Sequence, residues 1–206
     1  MAAGATRAGA GGGMDRRFTN EWFARDIAGF WNTALNGLIP ADGSAVYLEI
    51  GVCEGASMLW VLDHFNPRLA IGVDPWEPPK PRLAAAYATY RENALRNLAP
   101  YIGAGRVDIY EDHSEKFLRS DVIPESSVDM LYVDGDHHAY ATLTDAVLGW
   151  RFLKPGGVMI FDDYNRRWHL GKPWTHEGVD AFLIGFEKRY RIAFRNDFQV
   201  AVTKIK

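Results

Sequence analysis

Four carboxylates in the second half of the chain fall in two tight pairs, Asp134 with Asp136 and Asp162 with Asp163, and Asp134 lies 28 positions before Asp162 (162 − 134). Each pair closes an apolar, β-branched run, VDMLYVD (128–134) and GVMIFDD (157–163), which reads as a strand buried on both faces. Neighbouring parallel strands lie about 4.8 Å apart, so their carboxyl ends bring the four acids into one small region. Carboxylates gathered that way repel unless something positive sits among them. A hard divalent cation meets that need, and Mg2+ is the expected ion, because it takes oxygen ligands and lets substrate oxygens complete its octahedron. The alternative is that Asp162 and Asp163 cap the next helix or pair with Arg166 and Arg167.

A second constellation lies earlier, in Glu49-Ile50-Gly51-Val52-Cys53-Glu54-Gly55-Ala56-Ser57. Gly51 and Gly55 permit a tight turn and close backbone approach to a ligand, while Ser57 can offer its hydroxyl and N–H to a carboxylate. The spacing is G-x-x-x-G and lacks the middle glycine of G-x-G-x-x-G, the loop that lays a pyrophosphate on a helix N-terminus. A nicotinamide enzyme or a non-catalytic nucleotide-binding module therefore ranks behind other readings. Glu49 suits a cationic group such as an amino acid moiety or a sulfonium. Asp74 is placed to take both hydroxyls of a ribose, and Trp76 to stack on an adenine. The structural alternatives are a solvated strand end for Glu49, a helix cap for Asp74 and a core filler for Trp76.

The elements that must position these residues alternate regularly. Strands are predicted at 45–50, 69–74, 106–110, 128–134 and 157–163, with helices between them at 56–65, 83–98, 114–119 and 139–152. A helix at 177–188 leads into two alternating runs that meet around Asn196 and Asp197 as a hairpin. The fold class is α/β: a three-layer, doubly wound, mostly parallel seven-stranded sheet closed by a C-terminal antiparallel hairpin. Bulky apolar residues at helical spacing from Phe18 to Leu35 predict one amphipathic helix over 17–38, packing on the sheet or on a neighbouring subunit, with an active-site lid as the alternative. Residues 1–16 read as a disordered Ala/Gly-rich tail, with Met14 as a second candidate start, and 17–206 as a single domain.

The run E-I-G-x-x-x-G-x-S followed by V-D at the next strand end resembles the cofactor site of the class I S-adenosylmethionine-dependent methyltransferases. The resemblance implies a Rossmann-like fold, S-adenosyl-L-methionine as cofactor, and Glu49, Gly51, Cys53, Gly55, Ser57, Asp74, Trp76 and Asp134 around it, with His113 and Ser114 bordering the adenine. The stretch from VDGD to DDY is similar to two metal-dependent O-methyltransferase groups, the macrocin and mycinamicin type and the catechol and caffeoyl-CoA type. That likeness, covering about 45–165, implies Asp134, Asp162 and Asp163 as metal ligands. It also places His137 where the second group has its catalytic lysine, so His137 is the first candidate general base and Asp136 the alternative. His138 is read as capping the helix that follows. A metal-independent methyltransferase with a structural DD pair remains the alternative.

Composition bounds the partners. At 206 residues, with 48% hydrophobic and 24% charged residues, the chain can bury one core. A net charge of −3 gives no broad electrostatic reason for nucleic-acid binding. The single cysteine, Cys53, allows no internal disulfide and fits a reducing compartment, so a cytoplasmic location is expected, with no membrane association. The aromatic loop Tyr164 to His176, carrying Trp168, His169 and Trp174, is expected to wall a pocket for a small hydroxylated acceptor such as a sugar or a phenol. The N-terminal helix and the hairpin offer surfaces for a homodimer.

Overall fold

The computed structural model describes residues 15–164 and 175–206. Its strands are β1 (Val46–Ile50), β2 (Leu69–Val73), β3 (Val107–Tyr110), β4 (Val128–Val133), β5 (Leu153–Phe161), β6 (Tyr190–Arg195) and β7 (Val200–Lys204). They form one sheet in the order β3-β2-β1-β4-β5-β7-β6. The first five are parallel, and β7 runs antiparallel to both β5 and β6. Strand order reverses between β1 and β4, and open α/β sheets leave a ligand crevice at the carboxyl ends of the strands at such a point. This is the α/β architecture the sequence predicts, hairpin included.

Strict alternation along the strands divides the core in two. Val46, Leu48 and Ile50 of β1, Met159 and Phe161 of β5, and Val200 and Val202 of β7 face one side. There they meet α5 (Ser114–Leu118), α6 (Ala139–Gly149) and α7 (Thr175–Gly185). Tyr47, Tyr132, Val158, Ile160 and Ala201 face the other side, under α2 (Ala28–Ala34), α3 (Ala56–Phe65) and α4 (Ala84–Gly103). Period-two strands buried on both faces produce this three-layer stack.

Two local predictions are corrected. The single helix expected over 17–38 is two short ones, α1 (Trp22–Asp26) and α2, broken at Ile27, whose φ is −121°. The break lets α1 lie over the glycine loop while Trp31 of α2 and Leu35 just after it are fully buried against the sheet. Trp31 meets Phe23, Trp60 and Tyr132 edge-on at 5.1, 5.5 and 4.9 Å, a favoured aromatic geometry. The segment KPGG (154–157), which the expected strand at 157–163 leaves outside it but for its last residue, lies inside β5. There the register jumps from Val128 opposite Leu153 to Met130 opposite Val158, so the extra residues bulge out, with Gly156 at φ +83°. The expected tail (residues 1–14 of it) and the loop residues Arg166, Arg167, Trp168, His169 and Trp174 lie outside the described residues.

Candidate functional site

The first strand-to-helix turn is built by backbone that only glycine accepts. Gly51 has φ +89°, and a Cβ there would stand 2.0 Å from the Asp134 carbonyl oxygen. The loop therefore lies directly against the end of β4, where the Asp134 N–H donates to the Ile50 carbonyl at 2.9 Å. Gly55 starts α3 at φ +80°, and Cys53 between the two glycines also has positive φ. Cys53, Trp76 and Asp163 are three of the five described non-glycine residues with positive φ, and backbone strain of this kind concentrates at functional sites. Burial, reinforced by Glu54, Asp74 and Asp134, pushes the Cys53 thiol up to about 12.

Glu49 is fully buried beneath this loop. The Ser57 hydroxyl donates to its Oε1, so that hydroxyl is turned inward rather than toward a ligand. Its Oε2 and the nearby Tyr47 hydroxyl have no hydrogen-bond partner. Burial pushes the Glu49 carboxyl up to about 8. The reading of Glu49 as a solvated strand end is thereby removed.

Asp74 is half-buried at the end of β2. Its carboxylate accepts the Cys53 N–H at 2.9 Å and the Trp76 N–H at 2.7 Å, tying the two loops together, and burial raises its pKa. Trp76 is 6% exposed and packs in the core with Met58 and Leu98, and its indole N–H donates to the Cys53 carbonyl at 2.8 Å. The ring expected to stack on an adenine thus holds the loop from below. His113 is exposed and meets Glu77 at 3.2 Å. The Ser114 hydroxyl engages Asp145, a carboxyl whose burial pushes it up to about 7.

The acids separate differently from the expectation. Asp134, His137 and Asp163 each present one ligand atom within 4.8 Å of the others. His137 Nδ1 is 3.3 Å from Asp163 Oδ2. Asp162 is not in this group. Its carboxylate is buried, accepting from the Tyr132 hydroxyl at 2.5 Å and the Gln199 amide at 3.0 Å. Asp163 at φ +53° sends the two consecutive carboxylates in different directions. The candidate cation group thus contains His137 where the sequence reading expected Asp162. Burial, then Asp163, pushes Asp162 up to about 6. Asp136 accepts the His138 N–H at 3.0 Å and the His138 ring, and His138 precedes α6 as its cap residue.

Sequence reasoning missed two buried anchors. Glu54 accepts from Thr19 and Asn20 of the N-terminal segment and from Asn93 of α4. Gln199 joins Asp162 to the Trp31 indole, which donates to it at 2.7 Å. The visible signals were Asn93 and Asn97, one helical turn apart in α4, and a glutamine opening an apolar strand. Between these anchors is a cavity of about 80 Å³, walled by Asn20, Trp22, Phe23 and Ile27 on one side and the glycine loop, Asp134 and Asp162 on the other.

A methyltransferase domain family profile matches residues 48–164. An uncharacterised protein of Acanthamoeba polyphaga mimivirus is 28% identical over 127 residues, 59% of this chain and 53% of that protein. The chain thus spans about half the length of this curated relative. The fold is similar to that of a candidate O-methyltransferase from Klebsiella pneumoniae (TM-score 0.64, 18% identity, 88% of this chain and 81% of that one). It is also similar to a candidate caffeoyl-CoA O-methyltransferase from Staphylococcus aureus (0.60, 17%, 91% and 85%). A third likeness is to a geranyl diphosphate C-methyltransferase from Streptomyces coelicolor, solved with Mg2+ and S-adenosyl-L-homocysteine (0.56, 16%, 86% and 78%).

Proposed function

The chain belongs to the methyltransferase domain family, and from that premise we propose that it transfers a methyl group from S-adenosylmethionine to a hydroxyl of a small molecule, assisted by a divalent cation. The observation that carries this reading is the double role of Asp134. Its backbone lies directly against the glycine loop at Gly51, with its N–H bonded to the Ile50 carbonyl, and its carboxylate joins His137 and Asp163. Cofactor loop and acid cluster are therefore one site. The fit to the cofactor rests on the same loop, where only glycine leaves room at Gly51, and on the buried, unpartnered Glu49 Oε2 below it. Several carboxylates around a chamber favour a cationic ligand.

The donor set of two carboxylates and one imidazole fits a divalent ion of borderline hardness, such as Mn2+, as well as Mg2+. Such an ion, when bound, supplies the positive charge that makes a neighbouring hydroxyl easier to ionise. Asp134, His137 and Asp163 would hold it, leaving Asp136, two residues from Asp134, to take the proton. The protein otherwise contributes orientation, because the hard chemistry of methyl transfer belongs to the cofactor.

A second reading is favoured by the His137–Asp163 pair itself. With Nδ1 facing a carboxylate, the imidazole presents Nε2 as a general base and no ion is needed. Methyl transfer to a panel of sugars and phenols, with and without a chelator, separates the two. Loss of turnover in chelator, restored by Mg2+ or Mn2+, supports the first reading, and unchanged turnover supports the second. No transfer to any hydroxyl, with transfer to amines instead, would overturn the O-methylation reading.

A further inference from the structure

The two most exposed large hydrophobic side chains among the described residues are Ile184, at 78%, and Tyr140, at 70%. Both sit on helices that cover one face of the sheet. On α6, Tyr140, Thr144 and Val147 follow at i, i+4 and i+7, and Val147 is 43% exposed. On α7, Glu177, Ala181 and Ile184 repeat that spacing, and all three are exposed. Residues so spaced line one side of a helix. Each stripe faces away from the core, since Ala146 of α6 and Val179, Phe182 and Leu183 of α7 are buried against the sheet.

The two helices lie side by side at a fixed level. Gly178 of α7 approaches α6 so closely that a Cβ there would stand 2.3 Å from the Ala139 carbonyl oxygen. The Thr175 hydroxyl donates to the His137 carbonyl at 3.2 Å. Positions 39 apart (178 − 139) are therefore level. Tyr140 and Val147 are centred that same 39 positions before Ala181 and Ile184, so the two stripes share one midpoint along the helices.

A two-fold axis crossing both helices at that midpoint turns this face onto itself. Antiparallel copies then bring Tyr140 against the partner's Val147 and Ala181 against the partner's Ile184. The same rotation sets Glu177 against the partner's Lys188, which lies in the turn that follows α7. Glu177 and Lys188 are exposed, and neither forms an ion pair within the chain among the described residues. Opposite charges thus meet at both ends of the α7 pair, as do helix termini of opposite polarity. An isologous contact demands this self-complementarity, which an unrelated partner would not, and two-fold dimers are the commonest soluble oligomers.

We propose that the outer faces of α6 and α7 form the interface of an antiparallel two-fold dimer, with Tyr140, Val147 and Ile184 at its centre and Glu177 and Lys188 at its rim. This surface is distinct from the N-terminal helices and the β6–β7 hairpin. Two helices of 11 residues, each about 16 Å long and about 10 Å across, offer a face at the small end of specific interfaces. The dimer therefore forms reversibly as concentration rises.

The test is sedimentation velocity of the full chain from about 1 µM to about 1 mM. Wild type should pass from monomer to dimer. Ile184→Glu should weaken association at least about ten-fold, with an unchanged melting temperature at the dilute end because the side chain is exposed in the monomer. Glu177→Lys and Lys188→Glu each set like charges opposite one another, so each alone should associate more weakly. Mixing these two variants should restore association, because every contact again joins opposite signs. A wild type that stays monomeric throughout overturns the interface. A dimer that persists in Ile184→Glu puts the contact elsewhere, on the N-terminal helices or the hairpin, and overturns it too. Failure of the mixture to associate overturns the antiparallel pairing.

Discussion

Replacing Glu49 by glutamine should change how stability depends on pH. In the folded protein burial pushes this carboxyl from 4.5 up to about 8. Between those values the native state keeps a proton that the unfolded chain releases, so stability falls as pH rises through the window, and the loss is complete above about pH 8. From about pH 6 to pH 8 the linkage amounts to about 2 kcal/mol. For a chain of this size that is about 4–8 °C in Tm. Asp145 and Asp162, pushed up to about 7 and about 6, contribute in the same direction. They are present in both proteins, so the difference between wild type and Glu49→Gln isolates Glu49. Calorimetric melts across this range should show the wild-type Tm falling more steeply by that amount. Parallel curves would refute the assignment of a buried, protonated Glu49.

Other expected outcomes concern the loop, the acids and the buried network. Gly51→Ala meets both a positive φ and a backbone oxygen 2.0 Å away, so it should abolish binding of S-adenosyl-L-homocysteine in calorimetry, and wild-type affinity would contradict the loop geometry. Gln199→Leu strips Asp162 and Trp31 of a partner. At about 1–3 kcal/mol for each buried group deprived of its partner, urea unfolding should show a loss of about 2–6 kcal/mol, whereas a loss below about 1 kcal/mol would mean the network is not formed. Mn2+ titrated into the protein and followed by electron paramagnetic resonance should bind wild type and Asp162→Asn alike and fail to bind Asp134→Asn/Asp163→Asn. Equal loss in both variants would return Asp162 to the ligand set.

The strands were legible because buried β-branched runs alternate with helical stretches, and the glycine loop because its backbone needs glycine wherever the chain turns. Less legible was what tertiary contacts decide. The break at Ile27 is invisible in a helical periodicity that continues through it; the need to seat Trp31 in the core while α1 covers the loop sets it. The DD pair read as two equivalent ligands, yet one residue at positive φ turns Asp162 to Tyr132 and Gln199 and leaves Asp163 with His137. Glu54 finds Thr19 and Asn20 across 35 and 34 residues, and Trp31 finds Gln199 across 168. No local pattern reports partners so far apart. Asp74 and Trp76 were read as facing a ligand, whereas the contacts they make here are with the glycine loop and with each other.

The most direct test of the methyltransferase account is isothermal titration of the full chain with S-adenosyl-L-homocysteine at neutral pH. Saturable one-site binding at micromolar strength is the expected result. An absence of binding heat together with an unchanged melting temperature at millimolar ligand would contradict it.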